Sequence, residues 1–200
     1  MNLADILDSC WHGLEIATRD RRHAWRLPVL ASAGADGWPA SRTVVLRHVD
    51  RSAPSIACHT DARSPKLAEI AADPRVSWTF YDPQAQVQLR VKAMATVQRG
   101  ATEDPIALER WERTSLSSRR CYLAPRAPGA ACESPSANLP EGLLDRSPVP
   151  GEDLPGLANF AVISTRPRSF DWLLLRASGH RRARFMLEGE GAPHATWTEP

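Results

Sequence analysis

The stretch QVQLRVK at residues 86–92 has the clearest strand pattern in this sequence. Polar side chains at positions 86, 88, 90 and 92 alternate with apolar side chains at positions 87, 89 and 91. A strand with one buried face requires this period of two, because successive side chains point to opposite sides of a sheet. The preceding stretch RVSWTFY at residues 75–81 alternates in the same way, and Asp82-Pro83 predicts a turn after it. We therefore predict a strand in each stretch.

Further strands are predicted on both sides of these two. They cover residues 25–33, 41–49, 55–60, 159–164, 169–175 and 182–187. The centre of 41–49, Val44-Val45-Leu46, is apolar on both faces, as in a strand that is buried on both sides. Short strands without a regular alternation of strand and helix predict a mainly β architecture, either a barrel or a sandwich.

Three helices are predicted beside the strands. Apolar residues spaced i, i+3, i+4 and i+7 indicate a helix over residues 3–17 with Asn2 as its cap. Ser64 followed by Pro65 is a typical helix start and predicts a helix over residues 64–72. Thr102 is the expected cap of a helix over residues 103–113, in which Ile106, Leu108 and Trp111 are the expected buried residues.

Residues 115–157 contain seven prolines and four glycines and are predicted to be a long irregular loop. Loops of this length are uncommon inside a domain, and either disorder, packing against a partner or an active-site lid would explain one. We interpret the whole chain, residues 1–200, as one domain with an N-terminal helix in residues 1–20 and this Pro-rich loop.

Composition excludes several classes of protein. The 25 basic and 23 acidic residues give a net charge of +2, which does not favour nucleic acid as a partner. No apolar run approaches about 18 residues, so no membrane span is expected. The four cysteines form no CxxC pair, so no metal site is expected. A chain without a disulfide framework is expected in a reducing compartment, the cytoplasm. The first residues lack the pattern of a signal peptide.

Three groups of residues could carry chemistry. Arg63, Ser64 and Lys66 lie at a predicted helix start, where backbone amides attract phosphate, although an ordinary capped helix would look the same. Gln88 and Arg90 share one strand face, which a solvated sheet face would also explain. The run HRRAR at residues 180–184 is strongly basic, but no nucleic-acid motif accompanies it.

The order of these motifs resembles the pyridoxamine 5′-phosphate oxidase family. The matching segments are RTVVLR at 42–47, HTDARSPK at 59–66, QLRV at 88–91, Trp172 and HRRARF at 180–185. The nearest resemblance is to the cyanobacterial and plant-type branch of FMN-binding domains, whose substrate is unsettled. It covers residues 20–100 well and residues 159–187 moderately.

The resemblance implies a mainly β, FMN-binding split β-barrel with a few flanking helices, which dimerises and holds FMN in clefts at the dimer interface. By that similarity Arg42 would reach the phosphate or ribityl chain, Val45 and Leu46 would lie along the flavin, and Gln88 would contact the isoalloxazine region. Thr60, Ser64 and Lys66 would hold the phosphate. Trp172 and Arg184 would complete the site from the other subunit.

Several departures from the oxidase proper bear on the substrate. Pro65 stands where the oxidase has an Arg, for which Arg63 could substitute, and Arg47 replaces a substrate-contacting Lys. The oxidase's Tyr-x-x-x-Arg-x-x-x-Ser run is not visible, and its Arg-Leu-His becomes His180-Arg181-Arg182. Arg47, His180 and Arg182 are therefore the substrate candidates. We expect weak or no oxidation of pyridoxine and pyridoxamine 5′-phosphate.

The resemblance implies an oxidoreductase in which hydride passes from a small substrate to FMN N5. No catalytic residue is assigned by the sequence. The alternative is a flavin-binding protein without turnover, namely a carrier, a sensor or a degenerate homologue. In both cases the expected partners are a second copy of the chain and, for the enzyme, a small molecule.

Overall fold

The computed structural model of this protein describes residues 2–187 and 192–200. Its nine strands form one sheet in the order β2-β1-β5-β6-β7-β4-β3, and β8 pairs with β7 and β9 pairs with β8. The strands are β1 Val29–Ala33, β2 Pro39–Thr43, β3 Leu46–Asp50, β4 Ser55–Asp61, β5 Arg75–Asp82, β6 Val87–Arg99, β7 Phe160–Leu174, β8 Arg181–Met186 and β9 His194–Thr198. The α-helices are α1 Leu3–Arg19, α2 Lys66–Ala72, α3 Pro105–Glu112 and α4 Leu116–Arg119. Short 3-10 helices cover Ala24–Arg26, Gly100–Thr102, Arg120–Leu123, Glu141–Leu143 and Leu154–Asn159.

Helix α1 and the β5–β6 hairpin follow the sequence pattern closely. Asn2 and Asp5 form a reciprocal capping box at the start of α1. The buried side of β5 carries Val76, Trp78 and Phe80, as their alternation predicts. Strands β5 and β6 pair antiparallel from Arg75 opposite Met94 to Asp82 opposite Val87. These predictions are confirmed because each depends on neighbours within a few residues along the chain.

The predicted single strand 41–49 is wrong. β2 ends at Thr43 and pairs with β1, whereas β3 begins at Leu46 and pairs with β4. The two valines between them lie outside both strands, and the Val44 amide donates to the Pro28 carbonyl over 3.0 Å. The chain changes partner at this point, and the apolar run 44–46 does not reveal that change.

Other element boundaries also differ from the prediction. The predicted strands 159–164 and 169–175 form one strand, β7, which continues through the buried Pro167. Asp104 caps α3 in place of Thr102, because its carboxylate accepts the Ile106 and Ala107 amides. Ile106 is exposed, contrary to the prediction, and Trp111 is buried. Strand β9 was not predicted.

The chain divides into two compact units. Unit 1 consists of Met1–Cys58, Glu69–Thr96 and Ser164–Pro200, and unit 2 of His59–Ala68 and Val97–Ile163. Unit 1 has an aromatic core in which Trp78 stacks on Phe80 and its indole N–H donates to the buried Thr165 hydroxyl over 3.1 Å. None of the helices in the described residues is long and apolar enough to cross a membrane.

Unit 2 contains the Pro-rich segment 115–157. Its core is a group of rings in which Trp111 and Tyr122 both contact Phe160 edge-on. The Arg119 guanidinium lies 4.8 Å from the centre of the Trp111 ring and donates to the buried Asp153 carboxylate over 2.6 Å. This ion pair ties the two ends of the segment together within the unit.

Candidate functional site

Three donor side chains converge where β4 ends and α2 begins, in unit 2. The Lys66 ammonium lies 3.0 Å from the Thr60 hydroxyl and 2.5 Å from the Ser64 hydroxyl. Both hydroxyl residues are buried, with exposures of 8% and 6%. Burial of polar groups is costly unless they are satisfied, and a phosphate monoester would accept from all three. We call Thr60, Ser64 and Lys66 the phosphate group of residues, and they fit the phosphate of FMN.

The helix start differs from the prediction in one detail. Helix α2 begins at Lys66, and the Ser64 hydroxyl contacts the Lys66 ammonium instead of capping the helix. The backbone carbonyl of Ser64 accepts the Leu67 amide over 3.0 Å. Ser64 is therefore a hydrogen-bond partner of Lys66. The helix predicted over 64–72 is shorter by two residues at its start.

Arg63 is occupied by a carboxylate of its own loop. Its guanidinium donates to Asp61 through Nε over 3.0 Å and through Nη2 over 2.7 Å. Nη2 also donates to the Ala124 carbonyl over 2.9 Å. The hydrogen bond from Asp61 raises the pKa of Arg63 above its ordinary value. Asp61 was not singled out in the sequence, although it lies only two residues before Arg63.

Arg42 lies in unit 1 and is held by Glu69 and Ser32. Its Nη2 atom donates to the Glu69 carboxylate over 2.7 Å, and its Nη1 atom donates to the Ser32 hydroxyl over 2.6 Å. The Ser32 hydroxyl in turn donates to the same Glu69 oxygen over 2.5 Å. Ser32 and Glu69 are thus two partners of Arg42 that the sequence did not indicate. Glu69 offsets the charge that Arg42 would present to an anion.

The residues after Arg42 have mixed environments. Val45 is half-buried and lies between β2 and β3. Leu46 is fully buried, and its carbonyl accepts from the Arg26 guanidinium over 2.9 Å. Arg47 is half-buried, and it makes no hydrogen bond or ion pair with the part of the chain that the structure describes. Its charge helps to lower the pKa of Arg26, after the larger effect of burial.

Gln88, Trp172 and Arg184 lie on neighbouring strands of unit 1. Gln88 is half-buried on β6, opposite Tyr81 of β5. Trp172 is buried on β7 opposite Ala183, and Arg184 is largely exposed on β8. His180 lies in the turn before β8, where its Nδ1 atom accepts the Arg176 amide over 3.1 Å. Gly179 supplies the positive φ of 117° that this turn requires.

A cluster of arginines surrounds one carboxylate on the same three strands. Asp171 of β7 accepts from Arg182 through Nε over 2.9 Å and through Nη2 over 2.8 Å. It also accepts from Arg90 of β6 over 2.8 Å and from Arg184 over 3.3 Å. We call Arg90, Asp171, Arg182 and Arg184 the Asp171 cluster. Asp171 was missed in the sequence; a charged residue in the apolar run SFDWLLL was the available signal.

Electrostatics keep Asp171 ionised. Burial raises the pKa of its carboxyl group. The hydrogen bond from Arg182 and the charges of Arg90, Arg182 and Arg184 together lower this pKa by more than burial raises it, so the pKa lies below its ordinary value. The hydrogen bond to Asp171 raises the pKa of Arg182. The cluster and Lys92 line a cavity of about 370 Å³ in unit 1.

Unit 2 has a cavity of its own, beside the phosphate group. It has a volume of about 490 Å³ and is lined by Thr60, His59, Arg120 and Asn138 among others. Arg120 donates to the carbonyls of Leu143, Leu144 and Arg146 through Nη1. Among residues 2–187 and 192–200, no three His, Cys, Asp or Glu side chains are grouped as a metal site would require.

Comparison with known proteins identifies the domain that contains the phosphate group. Residues 9–99 match the family described as "Pyridoxamine 5′-phosphate oxidase, FMN-binding domain". The chain is 28% identical over 174 residues to pyridoxine/pyridoxamine 5′-phosphate oxidase 2 of Arabidopsis thaliana, covering 84% of this chain and 82% of the relative. It is 27% identical over 165 residues to pyridoxine/pyridoxamine 5′-phosphate oxidase of Alcanivorax borkumensis, covering 81% and 74%.

Solved structures share the fold over the whole chain. A pyridoxamine 5′-phosphate oxidase-related, FMN binding protein from Nostoc punctiforme is 24% identical, with full coverage of both chains and a TM-score of 0.75. PhzG from Burkholderia lata, solved with tetrahydrophenazine-1-carboxylic acid, is 17% identical, covers 98% of this chain and 92% of its own, and has a TM-score of 0.67. The expected split-barrel fold and the expected cofactor of the domain, FMN, are confirmed. Residues 9–99 therefore match the FMN-binding domain of the pyridoxamine 5′-phosphate oxidase family, and the whole chain shares the split-barrel fold of these solved structures.

Proposed function

We propose that this protein is an FMN-dependent oxidoreductase that takes a hydride from a small substrate. The observation that carries the proposal is the buried phosphate group of residues inside the matched FMN-binding domain. When bound, FMN supplies a two-electron acceptor whose N5 atom takes the hydride. Relatives named as pyridoxine/pyridoxamine 5′-phosphate oxidases support chemistry of this type.

The chain's own residues would bind and orient the cofactor. Lys66 neutralises the phosphate, and Thr60 and Ser64 donate hydrogen bonds to it, since all three converge in one buried place. Arg42 is a second candidate for the phosphate or ribityl chain, with Glu69 and Ser32 fixing its guanidinium. Arg63 contributes only if it exchanges Asp61 for the ligand. Along the flavin we propose Val45 and Gln88, together with the backbone at Leu46, whose side chain is buried.

We further propose a homodimer in which Trp172 and Arg184 act on the FMN of the partner subunit. The resemblance to the family supports this role, and the Arg184 guanidinium could reach a second chain, because it contacts Asp171 only through Nε and more than half of its side chain is exposed. The substrate candidates remain Arg47, His180 and Arg182. None of the four cysteines, Cys10, Cys58, Cys121 and Cys132, forms a disulfide bond within the described residues, which supports a cytoplasmic location.

The test is reduction of protein-bound flavin by a substrate. Protein saturated with FMN is made anaerobic and mixed with pyridoxine and pyridoxamine 5′-phosphate, nicotinamide cofactors, and small amino and hydroxy acids. The proposal expects at least one of them to bleach the flavin absorbance faster than it bleaches free FMN, and oxygen to restore it. Bound flavin that no compound reduces faster than free FMN would support the non-catalytic alternative.

A further inference from the structure

One guanidinium nitrogen of Arg26 joins two parts of unit 1 that are distant in sequence. Its Nη1 atom donates to the carbonyls of Ala17 over 3.1 Å, of Thr18 over 2.6 Å and of Leu46 over 2.9 Å. Within the part of the chain that the structure describes, Arg26 forms no ion pair with a carboxylate. Because an arginine stays protonated in proteins, a full positive charge lies against three backbone carbonyls.

Two of these contacts belong to the end of helix α1. The last carbonyls of a helix have no partner inside it, and a cation beside them also offsets the negative end of the helix dipole. Arg26 satisfies the carbonyls of Ala17 and Thr18 in this way. The third contact lies outside the helix. It ties the end of α1 to Leu46, the residue at which β3 begins.

The backbone between β2 and β3 is held at two points by residues that lie close together in the chain. The Val44 amide donates to the Pro28 carbonyl over 3.0 Å. The Leu46 carbonyl accepts from Arg26, two positions before Pro28. This is the stretch in which the chain leaves β1 as its partner and turns to β4. Its position therefore depends on Arg26 and Pro28 as well as on the strands.

The segment that carries Arg26 is itself fixed in the core. Trp25 is buried, and its ring centre lies 5.9 Å from that of Phe80 on β5. A Cβ atom at Gly13 of α1 would lie 2.7 Å from the Trp25 ring, so the helix approaches the indole as closely as only glycine allows. Arg26 is thus attached to a rigid support, which precise placement of another group requires.

We propose that Arg26 is a positioning residue that holds the backbone of residues 44–47 against the flavin. The proposal rests on the proposed function, in which the backbone at Leu46 lies along the flavin. Immediately beyond this contact, the pairing of β3 with β4 shifts register between Leu46 and His48, so the strand ladder alone does not fix the backbone there. A misplacement of about 1 Å can lower a rate about 100-fold, so the position of this backbone should affect hydride transfer.

The experiment compares Arg26→Met with Arg26→Lys, each saturated with FMN. All three carbonyls are bonded through one nitrogen, and a lysine ammonium also presents three N–H groups from one nitrogen. Methionine removes the donors and the charge. With a compound that reduces the wild-type flavin, Arg26→Met should lower kcat about 10- to 100-fold and change KM by less than about twofold. Arg26→Lys should recover most of the lost rate.

Visible circular dichroism of the bound flavin separates positioning from a general loss of stability. It reports the surroundings of the flavin and should change in Arg26→Met and return in Arg26→Lys. Asn2→Ala is the matched control, because it removes the capping box at the other end of the same helix. Its dichroism should equal that of wild type. Unchanged dichroism in Arg26→Met, no recovery in Arg26→Lys, or an equal change in the control would overturn the proposal.

Hydrogen exchange of the wild-type chain tests the same contact without a substitution, in case Arg26→Met does not fold. FMN should slow exchange in peptides that cover residues 23–27 as well as in those that cover 44–47, because Arg26 bonds the two segments together. Protection of 44–47 alone, or of neither segment, would overturn the proposal. Exchange and dichroism need no turnover, so a bound flavin that no compound reduces would refute the proposed function, while these two measurements would still decide the role of Arg26.

Discussion

The sharpest prediction concerns Lys66, because the chain has only one other lysine to compare with it. Lys66→Met keeps most of the aliphatic stem and removes the ammonium that lies 3.0 Å from Thr60 and 2.5 Å from Ser64. The phosphate of FMN would lose its central charged donor, while the two hydroxyl donors would remain. We expect weaker FMN binding with little change in the fold.

The magnitude follows from the kind of contact that is lost. A hydrogen bond to a charged group contributes about 1.5–3 kcal/mol. At about 1.4 kcal/mol for each tenfold change, the Kd for FMN should rise about 10- to 150-fold. Ser64→Ala removes a neutral donor and should raise the Kd by about 2- to 10-fold. Because the Ser64 hydroxyl contacts the Lys66 ammonium directly, the two changes should not be additive in the double variant.

The assay is the quenching of FMN fluorescence when apoprotein is added, at fixed salt. Lys92→Met is the matched control, since it makes the same substitution at an exposed position of β6 that does not belong to the phosphate group of residues. Its Kd for FMN should change by less than about threefold, the scale of exposed charges. An unchanged Kd in Lys66→Met, or an equal loss in Lys92→Met, would refute the assignment of the phosphate site.

Four further predictions test other parts of the molecule. Asp153→Asn should destabilise the protein by about 3–5 kcal/mol in urea denaturation, because it leaves the half-buried Arg119 without its carboxylate. Burial raises the pKa of Asp153, but hydrogen bonds from Arg119 and the Gly151 amide lower it below its ordinary value. The ion pair should therefore stabilise the fold above about pH 4, and this stabilisation should be lost as the pH falls through the folded-state pKa. An unchanged acid-unfolding midpoint in Arg119→Met would contradict this prediction. Mixing Arg42→Ala and Arg184→Ala dimers should restore FMN binding at one site of each mixed dimer, and no recovery after subunit exchange would argue against action across the interface. Aerobic turnover of pyridoxine and pyridoxamine 5′-phosphate, followed by peroxide release, should give kcat/KM below about 10⁴ M⁻¹s⁻¹, and a higher value would show that other donors replace the missing Tyr, Arg and Ser of the oxidase.

Local patterns were sufficient for part of the fold and part of the site. The alternation in 75–81 and 86–92 predicted two strands with a turn after the first, because a period of two records which face is buried, and the structure pairs these strands as β5 and β6. The phosphate group of residues lies within seven positions of the chain, between a strand and a helix. The residue types alone therefore predicted phosphate binding, before the distances between the side chains were known. The family resemblance rested on the same short segments.

Partners that are distant in sequence were not predictable. Arg90 and Asp171 are 81 residues apart, and only the order β6-β7-β8 in the sheet brings their side chains together. Arg42 was expected to face an anion, and the structure gives it Glu69 instead, 27 residues away on another element. The period of burial indicates whether a side chain lies on the buried or the exposed face of a sheet, but it does not indicate which strand lies next to that side chain.

The sequence by itself determined the strands with clear alternation, the capped helix α1 and the residues around Lys66, since each depends on neighbours along the chain. Only the tertiary structure decided that residues 41–49 are divided between two strands, that Arg63 and Arg42 are already paired with carboxylates, and that Asp171 gathers three arginines at a cavity. The reason is that a charge or an apolar run specifies what kind of surroundings it needs, whereas strand order and register determine which residues supply them.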